Sequence, residues 1–125
     1  MSAEALNRAK QLLGSAVVSS HSYRGDDTIV VDAARIADAM KTLRDDPEVA
    51  MNFLVDLTAV DYFGREPRFE VVYHLRSFKS GARLRVKAPV VEPEDGSNPI
   101  LDTITPLWAS ANWMEREVWD LYGIK

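Results

Sequence analysis

Apolar residues recur at helical spacing at the start of the chain, at Ala5, Leu6, Ala9, Leu12 and Leu13. Ser2 can cap this helix, Glu4 sits in its first turn and Lys10 lies near its end. Gly14 is placed to terminate it. The spacing then changes. Residues 16–23, with Val17 and Val18, read as a strand. Arg24-Gly25-Asp26-Asp27 carries turn chemistry, and residues 28–31 return as a β-branched strand, which predicts a hairpin. Asp32 opens a second helix with Ala33, Ile36, Ala37, Met40 and Leu43 as its apolar stripe. Asp45-Asp46-Pro47 ends it, because the residue before proline avoids the helical region.

Period-two alternation takes over next. Over residues 51–62, Phe53, Val55, Leu57 and Ala59 share one face and Leu54, Asp56, Thr58 and Val60 the other. Both faces are partly apolar, which predicts a central strand. After the turn Gly64-Arg65-Glu66-Pro67, the residues Phe69, Val71, Tyr73 and Leu75 alternate with Glu70, Val72, His74 and Arg76. After Ser80-Gly81, the residues Ala82, Leu84, Val86 and Ala88 alternate with Arg83, Arg85 and Lys87. Short turns make these three strands antiparallel neighbours. Residues 89–99, proline-rich and acidic, form a loop. A helix is predicted over residues 100–108, with Pro106 inside it or ending it. A last helix opens at Asn112, where Asn112 and Glu115 have capping-box spacing. Met114, Val118 and Leu121 share its inner face, and Gly123 ends it. The fold class is α+β: a two-layer domain with helices on one face of an antiparallel or mixed five-stranded sheet, in the order α-β-β-α-β-β-β followed by C-terminal helices.

Composition narrows the functional classes. The chain has 125 residues, enough for one domain spanning 1–125 and hardly two. Cysteine is absent, which excludes disulfides, thiolate metal sites and an iron–sulfur cluster held by this chain. Lys and Arg total 15 against 19 Asp and Glu, a net charge of −4, which argues against a dedicated nucleic-acid binder. No window approaches the roughly 18 consecutive apolar residues of a membrane span. The first residues lack the basic and apolar regions of a signal peptide, so a cytoplasm-like compartment is expected.

Candidate chemistry is sparse. GxGxxG, GxxxxGK[ST] and GxSxG are all missing. His21 and His74 have no partner at ligand spacing, and His74 reads as a solvent-facing or interface side chain. Arg83, Arg85 and Lys87 line one strand face, either as a solvated stripe that blunts an edge or as a docking surface for an acidic partner. The densest feature is residues 108–124, which hold all 3 tryptophans. Glu115, Glu117 and Asp120 are close in sequence, but Glu115 and Glu117 point roughly 200° apart on an ideal helix. Arg116 and Asp120 can pair at i, i+4. Trp and Arg are typical anchors of interfaces, so this helix reads as a docking element.

The pattern Trp108-x-x-Ala111-x-Trp113-x-Glu115-Arg116-Glu117-x-x-Asp120-x-Tyr122-Gly123-Ile124 resembles the signature of the C subunit of NADH-quinone oxidoreductase, the 30 kDa subunit family of respiratory complex I. Residues 53–62, residues 69–75 and Arg83-Leu84-Arg85-Val86-Lys87 resemble that family too. The resemblance implies a non-catalytic structural subunit of the hydrophilic arm. It implies no cofactor on this chain, with FMN, the iron–sulfur clusters and quinone belonging to partner subunits. The implied partners are the large quinone-site subunit and its iron–sulfur neighbour, on the cytoplasmic side of a bacterial inner membrane. The interface residues expected on this basis are Trp108, Trp113, Glu115, Arg116, Glu117, Asp120 and Tyr122. Family members continue with a Gly-His-Pro motif and a tail, so a C-terminally shortened form is expected, and the isolated chain can self-associate through its uncovered helix.

Two other readings remain open. One is the equivalent subunit of a membrane-bound hydrogenase or of a ferredoxin-linked or F420-linked complex. The other is a free-standing hydrolase using Asp56, Asp61, Glu115, Glu117 and Asp120, which requires at least two of these acids to converge in a pocket. A regulatory domain would need a ligand-sized apolar cavity, of which the sequence gives no sign.

Overall fold

The structure is a computed structural model. It describes residues 2–23, 26–47, 49–61, 69–78, 81–90, 101, 104, 107–108 and 111–122. The first helix, α1 (Ser2–Leu13), buries Leu6, Ala9 and Leu13 and ends at Gly14, whose φ of +53° suits a residue without Cβ. Strands β1 (Val17–Tyr23) and β2 (Asp26–Val31) pair antiparallel, as the hairpin pattern predicts. Asp32 does not start the second helix directly. Its Oδ1 accepts from the Ala34 amide at 3.1 Å and caps a short 3₁₀ turn, Ala33–Arg35, before α2 (Ile36–Asp45) begins. Ile36, Ala39, Met40 and Leu43 of α2 are buried.

Strands β3 (Phe53–Asp61), β4 (Phe69–Arg76) and β5 (Arg83–Val90) follow as antiparallel neighbours. The five strands make one mixed sheet in the order β1-β2-β5-β4-β3. Its only parallel contact, among the described residues, joins β2 to β5, with Thr28 opposite Arg85 and Val30 opposite Lys87. The helices cover one face. Ile29, Leu57, Tyr73 and Val86 from the sheet share a single buried cluster with Leu6, Met40 and Val118 from the helices.

Two expectations change here. Strand β3 is an edge strand, not a central one. The pairing slips between Leu54 and Asp56, and this bulge brings Leu54, Leu57 and Ala59 into the core together. Phe53 and Val55 stay outside, 42% and 46% exposed. The two-sided apolar pattern therefore reports a bulged edge with an exposed apolar stretch. The predicted helix over residues 100–108 is reduced, in its described residues, to a turn in which the Ile104 carbonyl accepts from the Leu107 and Trp108 amides at 2.9 and 3.2 Å.

An exposed ion pair lies at the end of α2. Arg44 Nε donates to Asp45 Oδ1 at 2.8 Å, and this bond holds the Asp45 carboxyl below the usual carboxylate range. The folded pKa lies below the unfolded one. The stabilisation is therefore present above the unfolded value and is lost as pH falls through the lowered folded value. Asp45 is exposed, so solvent screens the pair and the effect is small. Asp45→Asn is expected to leave stability at neutral pH slightly reduced and to bring its acid-induced loss closer to zero. Urea melts at neutral and strongly acidic pH check this.

Candidate docking site

The last helix, α3 (Ala111–Tyr122), packs on β3. It starts at Ala111, so Asn112 lies inside it and is not its cap. The Ala111 amide donates to the Trp108 carbonyl at 2.9 Å. Ala111 and Val118 are buried and Met114 packs against the core. This fixes the opposite face, where Asn112, Trp113, Arg116 and Glu117 are exposed.

The seven expected interface residues separate into distinct environments. Trp108 is 7% exposed and belongs to the core, and its Nε1 is buried without a hydrogen-bond partner among the described residues. Glu115 is half-buried. Its Oε2 accepts from the Ile104 amide at 3.0 Å, so it ties the 104–108 turn to α3. On the other side, Arg44 Nη1 donates to the Leu107 carbonyl at 3.1 Å and ties the same turn to α2. Trp113 is 66% exposed, and its Nε1–H donates to Glu117 Oε1 at 3.1 Å, one helical turn on. Arg116 is exposed beside them. Asp120 and Tyr122 lie in the last turns of α3, but their side chains are outside the described residues, and so is the predicted Arg116–Asp120 pair. Gly123 also lies outside them.

Among the described residues, the candidate acids Asp56, Glu115 and Glu117 do not converge, and the Asp120 side chain lies outside those residues. Glu115 serves the Ile104 amide and Glu117 serves Trp113. Asp56 accepts from the Leu57 amide at 2.9 Å and lies beside His74 in the ladder. Among the described residues no three His, Cys, Asp or Glu side chains stand together as a metal site. No helix of the described residues is long and apolar enough to cross a membrane. Sequence reasoning passed over Phe78, whose ring stacks on Phe53 with centroids 5.1 Å apart. The signal available was an aromatic residue at a hairpin end, flanked by cations and by no apolar periodicity.

Fold and site together define an α+β domain with an exposed aromatic helix and, among its described residues, no cluster of three or more His, Cys, Asp or Glu that could hold a metal. Residues 29–125 match the family model described as respiratory-chain NADH dehydrogenase, 30 Kd subunit, and the chain belongs to that family. It is 47% identical over 98% of its length to the NADH-quinone oxidoreductase C subunit of Roseiflexus sp. (strain RS-1), covering 68% of that protein. It is 44% identical over 96% of its length to the corresponding C subunit of Citrifermentans bemidjiense, covering 71% of it. A solved structure with the same fold is a chain of the membrane-bound sulfane sulfur reductase, an archaeal respiratory membrane complex. Its TM-score is 0.76 at 24% identity, covering 98% of this chain and 69% of that one.

Proposed function

We propose that the chain is a non-catalytic structural subunit of the peripheral arm of a proton-translocating NADH-quinone oxidoreductase. It supports electron transfer from NADH to quinone by docking the quinone-site subunit and its iron–sulfur neighbour. In this reading it holds no cofactor, and FMN, the iron–sulfur clusters and quinone sit on partner subunits. It is held through the complex on the cytoplasmic side of the inner membrane. Family membership supports the setting, and one observation carries the docking role. Trp113 stands 66% exposed on α3, held by Glu117 and flanked by Arg116. A large aromatic fixed in water beside an arginine costs hydration that burial in an interface recovers.

The test separates docking from folding. Trp113→Ala combined with Arg116→Glu touches only exposed side chains, so the melting of the purified chain is expected to shift by no more than about 0.5 kcal/mol. The amount of quinone-site subunit recovered with the tagged full-length chain from membranes is expected to fall at least about tenfold, the loss of roughly 1.4 kcal/mol of a hot spot. Unchanged recovery removes the docking role from α3.

A further inference from the structure

The face of the sheet turned away from the helices has its own chemistry. The register sets Phe53, Arg76 and Arg83 side by side across β3, β4 and β5. The next row holds Asp56, His74, Arg85 and Thr28 across β3, β4, β5 and β2. Apart from the buried Thr28, these rows line a groove of about 670 Å³. Arg76 and Arg83 are exposed, and no ion pair holds either among the described residues. Arg85 reaches Thr28 Oγ1 at 3.4 Å. Lys87 is drawn off to Glu70 at 3.6 Å. Three arginines thus face two carboxylates, Asp27 and Asp56, on a chain whose net charge is −4.

An apolar anchor lies at the same end. Phe78 is 63% exposed and stacks on Phe53, and its amide donates to Asn52 Oδ1 at 3.0 Å, which ties the backbone at residue 78 to the start of β3. A solvated cationic stripe explains arginines on a strand but not a stacked pair of phenylalanines in water. Asp27 also lines the groove, but it is buried. A peptide supplies carboxylates for the arginines and an apolar side chain for the phenylalanine pair, whereas inorganic phosphate supplies charge but no apolar group.

We propose that this groove is a second docking surface, on the face opposite α3, for an acidic segment of another protein of the assembly. Carboxylates of that segment meet Arg76, Arg83 and Arg85, and one apolar side chain lies on the Phe53–Phe78 pair. The proposal rests on the reading of the chain as an assembly subunit.

Photo-crosslinking in the intact membrane complex tests it. A benzophenone amino acid replaces Phe78 in one full-length version and Trp113 in another, and the crosslinked peptides are sequenced by mass spectrometry. The expected result at position 78 is one peptide of another subunit with Asp or Glu within a few residues of the crosslink. Its yield should fall at least about tenfold with Arg83→Glu and Arg85→Glu and persist with Arg83→Lys and Arg85→Lys. A crosslink at position 113 with none at 78 overturns the groove and leaves the assembly reading standing. Failure at both positions overturns both. A crosslink at 78 to lipid, or to a segment without acids, overturns the groove alone.

Discussion

Trp108→Ala is expected to lower stability by about 3–5 kcal/mol, the range for removing a buried aromatic from a packed core. Trp108 is 7% exposed and lies where the 104–108 turn meets α3. Its indole belongs to the buried core, beside a turn that Arg44 and Glu115 also tie down by hydrogen bonds. The alanine variant should therefore lose the turn and loosen the start of α3, and denaturant titration of the purified chain reads the loss. Trp108→Phe is the informative companion. It keeps most of the ring and removes an Nε1–H that is buried without a partner among the described residues. Its cost should stay below about 1.5 kcal/mol, since a near-volume swap that deletes an unsatisfied donor loses little. A neutral Trp108→Ala would mean that the indole does not contribute to the core.

Asp46→Ala is expected to cost about 2–3 kcal/mol, because it removes the charged hydrogen bond to Arg8 and orphans the buried Val49 amide. Asp46 Oδ1 accepts from Arg8 Nη2 at 3.2 Å, which joins the end of α2 to α1. Oδ2 accepts from the Val49 amide at 2.8 Å, and Val49 is buried. The same residue's carbonyl accepts from the Ala50 amide at 2.7 Å. A single carboxylate thus organises the reversal that carries the chain from α2 towards β3. Asp46→Asn keeps one acceptor oxygen and should recover about half of the loss, because the Val49 amide can still be satisfied. Equal losses for Ala and Asn would assign the effect to the Arg8 charge rather than to the amide.

Much of this architecture was readable from residue patterns, for physical reasons that differ by element. The helices α1 and α2 were legible because Leu6, Ala9, Leu13, Ile36, Met40 and Leu43 repeat at the helical period and are buried. The β4–β5 pairing was legible from strict alternation across a short turn. Strand β3 misled because a bulge at Val55 changes the phase of the alternation, and a one-residue slip swaps faces without altering composition. The site was only partly legible. Trp113 and Trp108 look alike in sequence, yet burial sends one outward and the other into the core. Glu115 had capping-box spacing, but the Ile104 amide, 11 positions earlier, claims it. That is a tertiary contact no local pattern encodes. The Phe53–Phe78 stack brings together two residues 25 positions apart (78 − 53) and likewise has no periodic signature.

The parallel contact between β2 and β5 sets the order in which this sheet is completed. Residues 28–30 must wait for residues 85–87 before they gain a second neighbour. Until then the chain holds two separate antiparallel ladders, β1 with β2 and β3 with β4, each bonded along one side only. Two-stranded ladders are marginal in water by themselves. As the chain leaves a ribosome, the hairpin of the N-terminal part has only its helices to pack on until β5 emerges and completes the sheet between β2 and β4. That closure joins segments far apart in the chain, and it makes the strand that carries Arg83, Arg85 and Lys87 the keystone of folding as well as the wall of the groove.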